Sequence, residues 1–241
     1  MRMRKICIAI ITLAVSILFC SVAIASVPEK TQLKSKVNQE IVDELMKSLS
    51  YNQDSSPIKA MASAKDKDGK LHELPVKIAT KKLSQKVASD GTITTEYITL
   101  ASVETYQSSR SYDGKIKECM LTEYETTTAN GGLYYIRFHW TEGWWERNNF
   151  SYDVRNAFVY TSQEGQKIDG TFFSDSDQYD IGEPIWNTYG TKTAVYSNNT
   201  WDFPFTQKDP PGAWGTRVGS DLYVNGQLLY DDWWIDFYSI Y

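Results

Sequence analysis

Four dipeptides constrain this chain more than any other feature: Asp90-Gly91, Asp113-Gly114, Asn130-Gly131 and Asn225-Gly226. Each lies between runs rich in β-branched and aromatic residues. A two-residue hairpin turn needs positive φ, which Gly adopts freely and which Asn or Asp tolerates, so these pairs mark places where a strand doubles back. The first three predict consecutive strands over 77–87, 92–107, 115–128 and 133–141. The fourth predicts a final hairpin over 220–224 and 228–241. Consecutive hairpins build an antiparallel meander, and strands this long favour a curled or doubled sheet. The expected fold class is therefore mainly β: an antiparallel meander forming a sandwich or barrel-like sheet.

Period-two alternation assigns faces to these strands. Over 133–141, Tyr134, Ile136, Phe138 and Trp140 fall on one side, with Tyr135, Arg137 and His139 on the other. Over 150–161, Phe150, Tyr152, Val154, Phe158 and Tyr160 share a side. Both read as sheets with one buried face. Residues 164–220 are turn-rich and hold several short aromatic pieces.

The N-terminal part is different in kind. Arg2, Arg4 and Lys5 precede an uncharged apolar run from Ile6 to Ala25, which ends in the small-x-small sequence Ala23-Ile24-Ala25. This is the pattern of a secretory signal peptide over 1–25. If it were kept, the same run is long enough to anchor the protein in a membrane with its domain outside. Residues 26–75 read as a helix and linker region. Val37, Ile41, Val42, Leu45, Met46 and Leu49 recur at helical spacing, with Ser35 or Asn38 as a cap, and predict one amphipathic helix. Residues 50–75 look like linker, and Asp66, Asp68 and Gly69 like a surface turn rather than a calcium loop. Residues 76–241 form the β domain.

Charge narrows the partners. Residues 119–241 carry 17 acidic against 7 basic residues, and all eight tryptophans lie at or beyond position 140. Such a half repels phosphate backbones, so nucleic acid is not an expected partner. Removing the leader also removes Cys7 and Cys20. Cys119 is left alone, which excludes an internal disulfide and leaves it reading as a small buried apolar residue.

Catalytic motifs are scarce. The chain has only two histidines, His72 and His139, and lacks Gly-x-Ser-x-Gly, His-Glu-x-x-His and a Gly-rich phosphate loop. No catalytic residue, cofactor or metal ligand is assigned. Asp175, Asp177, Asp180 and Glu183 raise a calcium question but match no ligand spacing. The strongest binding candidate is the end of the chain. Read as a strand, it places Tyr230, Asp232, Trp234, Asp236 and Tyr238 on one face, alternating aromatics and carboxylates about 7 Å apart. Aromatic faces stack on sugar rings, and carboxylates accept hydrogen bonds from hydroxyls. A second candidate is Trp144 and Trp145, in a segment whose Gly143 suggests a loop tip. Nearby Glu142 and Glu146 invite a hydrolase reading: about 6 Å apart on a helix, but about 13 Å on a strand. The leading expectation is a secreted noncatalytic protein binding an extracellular ligand, a polysaccharide or envelope component first among them. The alternatives are a secreted hydrolase using paired carboxylates, and a secreted toxin, bacteriocin-like factor or inhibitor.

Overall fold

The computed structural model describes residues 38–54, 56–109, 112–129, 131–183, 186, 196–198, 203–207 and 213–238. The signal-peptide reading lies outside them. No helix among the described residues is long and apolar enough to cross a membrane.

Among the described residues, one short helix and two antiparallel sheets make up the fold. Helix α1 (Gln39–Ser48) starts where Asn38 Oδ1 accepts the Glu40 amide at 3.0 Å, the cap expected of an asparagine. Strands β1 (Lys59–Asp66), β2 (Leu71–Leu74), β7 (Tyr152–Gln166), β8 (Phe172–Gly182), β11 (Ala213–Val224) and β12 (Gln227–Tyr238) form the first sheet, in the order β2-β1-β12-β11-β7-β8. Strands β3 (Val76–Val87), β4 (Ile93–Ser109), β5 (Tyr112–Ala129), β6 (Leu133–Arg147) and β10 (Thr206–Gln207) form the second, in the order β10-β6-β5-β4-β3, with β9 (Tyr196–Asn198) also paired to β6. The predicted meander is β3 to β6. The stretch read as linker, 50–75, contains β1 and β2.

Asp90-Gly91 and Asn225-Gly226 sit in turns, as does Gly131; Asn130 lies outside the described residues. Asn225 and Gly226 both have positive φ, at 52° and 76°, as a two-residue primed turn requires. The exception is Asp113-Gly114. It lies inside β5, paired to Ser108 and Gln107, and that hairpin closes between Ser109 and Tyr112.

The two sheets share one core. Ile78, Val103, Met120, Tyr124 and Trp145 from the second sheet meet Ala62, Val159, Val218, Trp233 and Ile235 from the first. A chain of threonine hydroxyls crosses this core from Thr122 through Thr141 and Thr216 to Thr161, with spacings of 2.8, 3.0 and 2.6 Å. Each hydroxyl can both donate and accept, so a chain of them satisfies itself away from water. The opposite face of the second sheet is covered by α1, whose Val42 and Leu45 bury against Ile98, Leu100, Cys119, Leu121, Trp140 and Trp144. Cys119 is the small buried residue its isolation suggested, and burial pushes its thiol pKa far up.

The face assignments fail at bulges. In β6 the pairing slips between Trp140 and Phe138, opposite Glu123 and Tyr124. The extra residue, His139, turns Trp140 outward onto α1 while Ile136 and Phe138 stay in the core. In β7, Asn156 takes φ 50°, so Tyr152 and Val154 point inward but Phe158 and Tyr160 outward. In β12 the pairing to β1 and β11 slips around Asp232, which takes φ 62°. An added residue reverses the side-chain parity of everything beyond it.

Asp221 joins two of these bulges. One carboxylate oxygen accepts Asn156 Nδ2 at 2.6 Å and the other accepts the Asp232 amide at 3.3 Å. Non-glycine residues at positive φ persist only when neighbours hold them. Asp221→Ala is therefore expected to destabilise the fold by about 1 kcal/mol, measured by urea unfolding. A neutral effect would show that the bulges hold themselves.

Candidate functional site

The outward face of the first sheet is where three of the five candidate strand residues meet. Antiparallel pairing sets them in cross-strand rows. One row runs Trp234, Gly219, Phe158 and Asp180; the next runs Met61, Asp236, Arg217, Tyr160 and Gln178; a third runs Lys59, Tyr238, Gly215, Ser162 and Ser176. Neighbours in a row stand about 4.8 Å apart and rows about 7 Å apart. Phe158, Tyr160, Trp234 and Tyr238 are all half-buried, as expected of rings that rest on a sheet and still reach solvent.

Glycines shape this surface. A Cβ on Gly219 would lie 2.7 Å from the Phe158 ring and 3.3 Å from Trp234 Cβ. The missing side chain is what lets the Phe158 ring lie across β11 beside Trp234. Gly215 and Gly219 leave Arg217 as the one long side chain projecting from this part of β11.

Arg217 is locked in place. Its Nε donates to Asp236 Oδ1 at 2.6 Å and its Nη2 to Oδ2 at 2.9 Å, while Trp234 Nε1 donates to the same Oδ2 at 3.0 Å. The guanidinium carbon sits 4.9 Å from the Trp234 ring centre, within cation–π range. Burial alone would lower the Arg217 pKa, but the Asp236 hydrogen bonds and charge outweigh it and raise it. The Asp236 carboxylate thus serves its own neighbours, with three donors on two oxygens. Arg217 is the cation of this face, and its Nη1 has no hydrogen-bond partner among the described residues.

The other two strand candidates do not join the face. Asp232 is the exposed bulge residue, and its amide is used by Asp221. Tyr230, one side of that bulge, pairs with Leu222 and Asp66 and packs against the core between the sheets. The five-residue stripe expected from strict alternation is therefore a three-residue one, Trp234, Asp236 and Tyr238, completed by Arg217, Phe158 and Tyr160 from other strands.

The second candidate is corrected. Trp144 and Trp145 are not at a loop tip but inside β6, 3 % and 0 % exposed. Trp144 covers the helix-side core and Trp145 the core between sheets. Glu142 and Glu146 share that strand, which sets them about 13 Å apart, beyond either glycosidase geometry. Glu142 is buried, and Glu146 is engaged by Lys117 at 3.1 Å and by Trp144 Nε1 at 2.9 Å.

Asp175, Asp177 and Asp180 lie in β8, an outer strand of the first sheet, not in a loop. Acidic side chains on an edge discourage pairing with another chain. Among the described residues no three His, Cys, Asp or Glu converge as a metal site. His139 sits half-buried 3.5 Å from Glu125, and burial lowers its pKa.

No known protein family and no curated protein sequence matches the chain.

Proposed function

We propose that this is an exported, noncatalytic β-sandwich protein that binds a glycan or another hydroxyl-rich component of the cell envelope through the outward face of its first sheet. The observation that carries this reading is the set of half-buried rings of Trp234, Phe158, Tyr160 and Tyr238 around a guanidinium fixed by Asp236. Flat apolar rings match the C–H faces of pyranoses. A fixed cationic donor beside them addresses ring or hydroxyl oxygens without the entropy cost of ordering a free arginine. Export rests on the N-terminal pattern, and on the second sheet α1 covers the corresponding centre.

The test is a glycan array and a cell-wall pulldown, using protein recovered from culture medium, whose first residue is expected to be Ser26. Trp234→Ala is expected to weaken binding about tenfold or more, the loss of one stacked ring. Retention of no polysaccharide by the wild type would sink the glycan reading.

A further inference from the structure

A cavity lies between two hairpin tips of the first sheet, lined by residues outside the Trp234 rows. Its volume is about 690 Å³, and Asp66, His72, Asn225, Gln227, Leu229 and Tyr230 are among the residues lining it. Ligand pockets for small molecules run from about 300 to 1,000 Å³.

Both walls are held rigidly. On one side, Asp66 Oδ1 accepts the amides of Asp68 and Lys70 at 3.0 and 2.9 Å, which fixes the β1–β2 turn. Its other oxygen lies 2.7 Å from His72 Nε2. These bonds, that of His72 foremost, hold the Asp66 carboxyl below the usual carboxylate range. On the other side, the Asn225-Gly226 turn is anchored by the Asn225 amide, which donates to the Ser151 carbonyl at 2.7 Å. Tyr230 spans the two walls. It pairs with Asp66 and Leu222, and its ring centre lies 6.3 Å from that of His72 at a tilt of 46°.

The chemistry of the lining selects a ligand class. The Asp66–His72 hydrogen bond fixes the imidazole in the wall. Its second ring nitrogen donates or accepts according to tautomer. Asn225 and Gln227 add amides that both donate and accept. Tyr230, Leu228 and Leu229 supply apolar lining, and Asp68 and Lys67 supply charged lining. Two carboxylates against one lysine disfavour an anion. Apolar wall plus mixed donors and acceptors fits a neutral ring carrying hydroxyls on its rim.

We propose that this end cavity is a second binding site, for a single neutral saccharide unit, with Tyr230 and His72 as its ring contacts and Asn225 and Gln227 as hydroxyl partners. The choice of ligand class rests on the saccharide-binding reading above; the cavity is separate from the Trp234 face.

The test is amide shift mapping on ¹⁵N-labelled protein titrated with neutral mono- and disaccharides, N-acetylglucosamine oligomers and, separately, inorganic phosphate. At least one sugar is expected to move the amides of Asp66–His72 and Gln227–Tyr230 saturably. Tyr230→Leu, which keeps an apolar side chain, and His72→Gln are each expected to weaken that effect about tenfold, while Trp234→Ala leaves it within about twofold. Shifts confined to the Trp234 face would overturn this inference and leave the outward-face reading standing. Shifts at neither place would overturn both. Cavity shifts produced by phosphate but by no sugar would overturn the ligand class.

Discussion

Glu118→Met is expected to stabilise the protein by about 2 kcal/mol at pH 8, the cost of one buried unsatisfied polar group. Glu118 projects from β5 into the core between the sheets, opposite Val103 and Trp145, and is 0 % exposed. Neither carboxyl oxygen has a formed hydrogen bond among the described residues. Burial drives its pKa well above the ordinary glutamate value. Interaction with the Trp145 indole pulls it part of the way back, and the Asp236 charge pushes it further up. Methionine matches the volume and has nothing to desolvate.

The sign of the pH dependence follows from proton binding. Where the folded pKa exceeds the unfolded one, the native state holds more protons, so stability is complete at low pH. It falls as pH rises above the unfolded glutamate value of about 4.3. The advantage of Glu118→Met over wild type should therefore be larger at pH 8 than at pH 4. Glu118→Gln should remove the slope while keeping a buried polar amide, and so should gain less. Urea unfolding of the three proteins at both pH values checks this. A methionine variant less stable than wild type at pH 8 would show that Glu118 has a stabilising partner in the folded protein.

Hairpin chemistry made the meander and the last hairpin legible, because positive φ at Asn225 and Gly226 is a local demand that local residue types reveal. The helix was legible through its stripe and its Asn38 cap for the same reason. What stayed hidden depends on neighbours distant in sequence. Strand β1 turns Ala60, Ala62 and Ala64 inward, and alanine carries little strand signal of its own. Strand β8 is exposed along most of its length, so its Ser and Asp residues show no alternation. Bulges at His139, Asn156 and Asp232 each reversed a face. Asn and Asp inside apolar runs are a hint of such a reversal, since they tolerate positive φ better than most residues. Trp234, Asp236 and Tyr238 were readable from one strand. Arg217, Phe158 and Tyr160 were not, because only the pairing of β12, β11 and β7 brings them alongside.

Gly143 makes the same point with an energy attached. Read along the chain, a glycine after an aromatic strand signals a turn, and that reading placed Trp144 and Trp145 on a loop. In the fold Gly143 is mid-strand, paired to Met120 on one side and Tyr196 on the other. It is glycine because the other sheet comes too near. A Cβ there would stand 2.6 Å from Val218 Cγ1 and 2.9 Å from Cγ2, and Val218 is itself fully buried. Gly143→Val is expected to cost about 3 kcal/mol, the upper end of overpacking penalties, because a close-packed interior between two sheets has little room to yield. Val218→Ala alone is also expected to destabilise, by opening a cavity. Combined, the two changes should cost less than their sum, since the smaller residue makes room for the larger. A double-mutant cycle by urea unfolding measures that coupling, expected at 1 kcal/mol or more, on the order seen for residues in direct contact. Strict additivity would mean that Gly143 is required by its own strand's conformation and not by the approach of Val218.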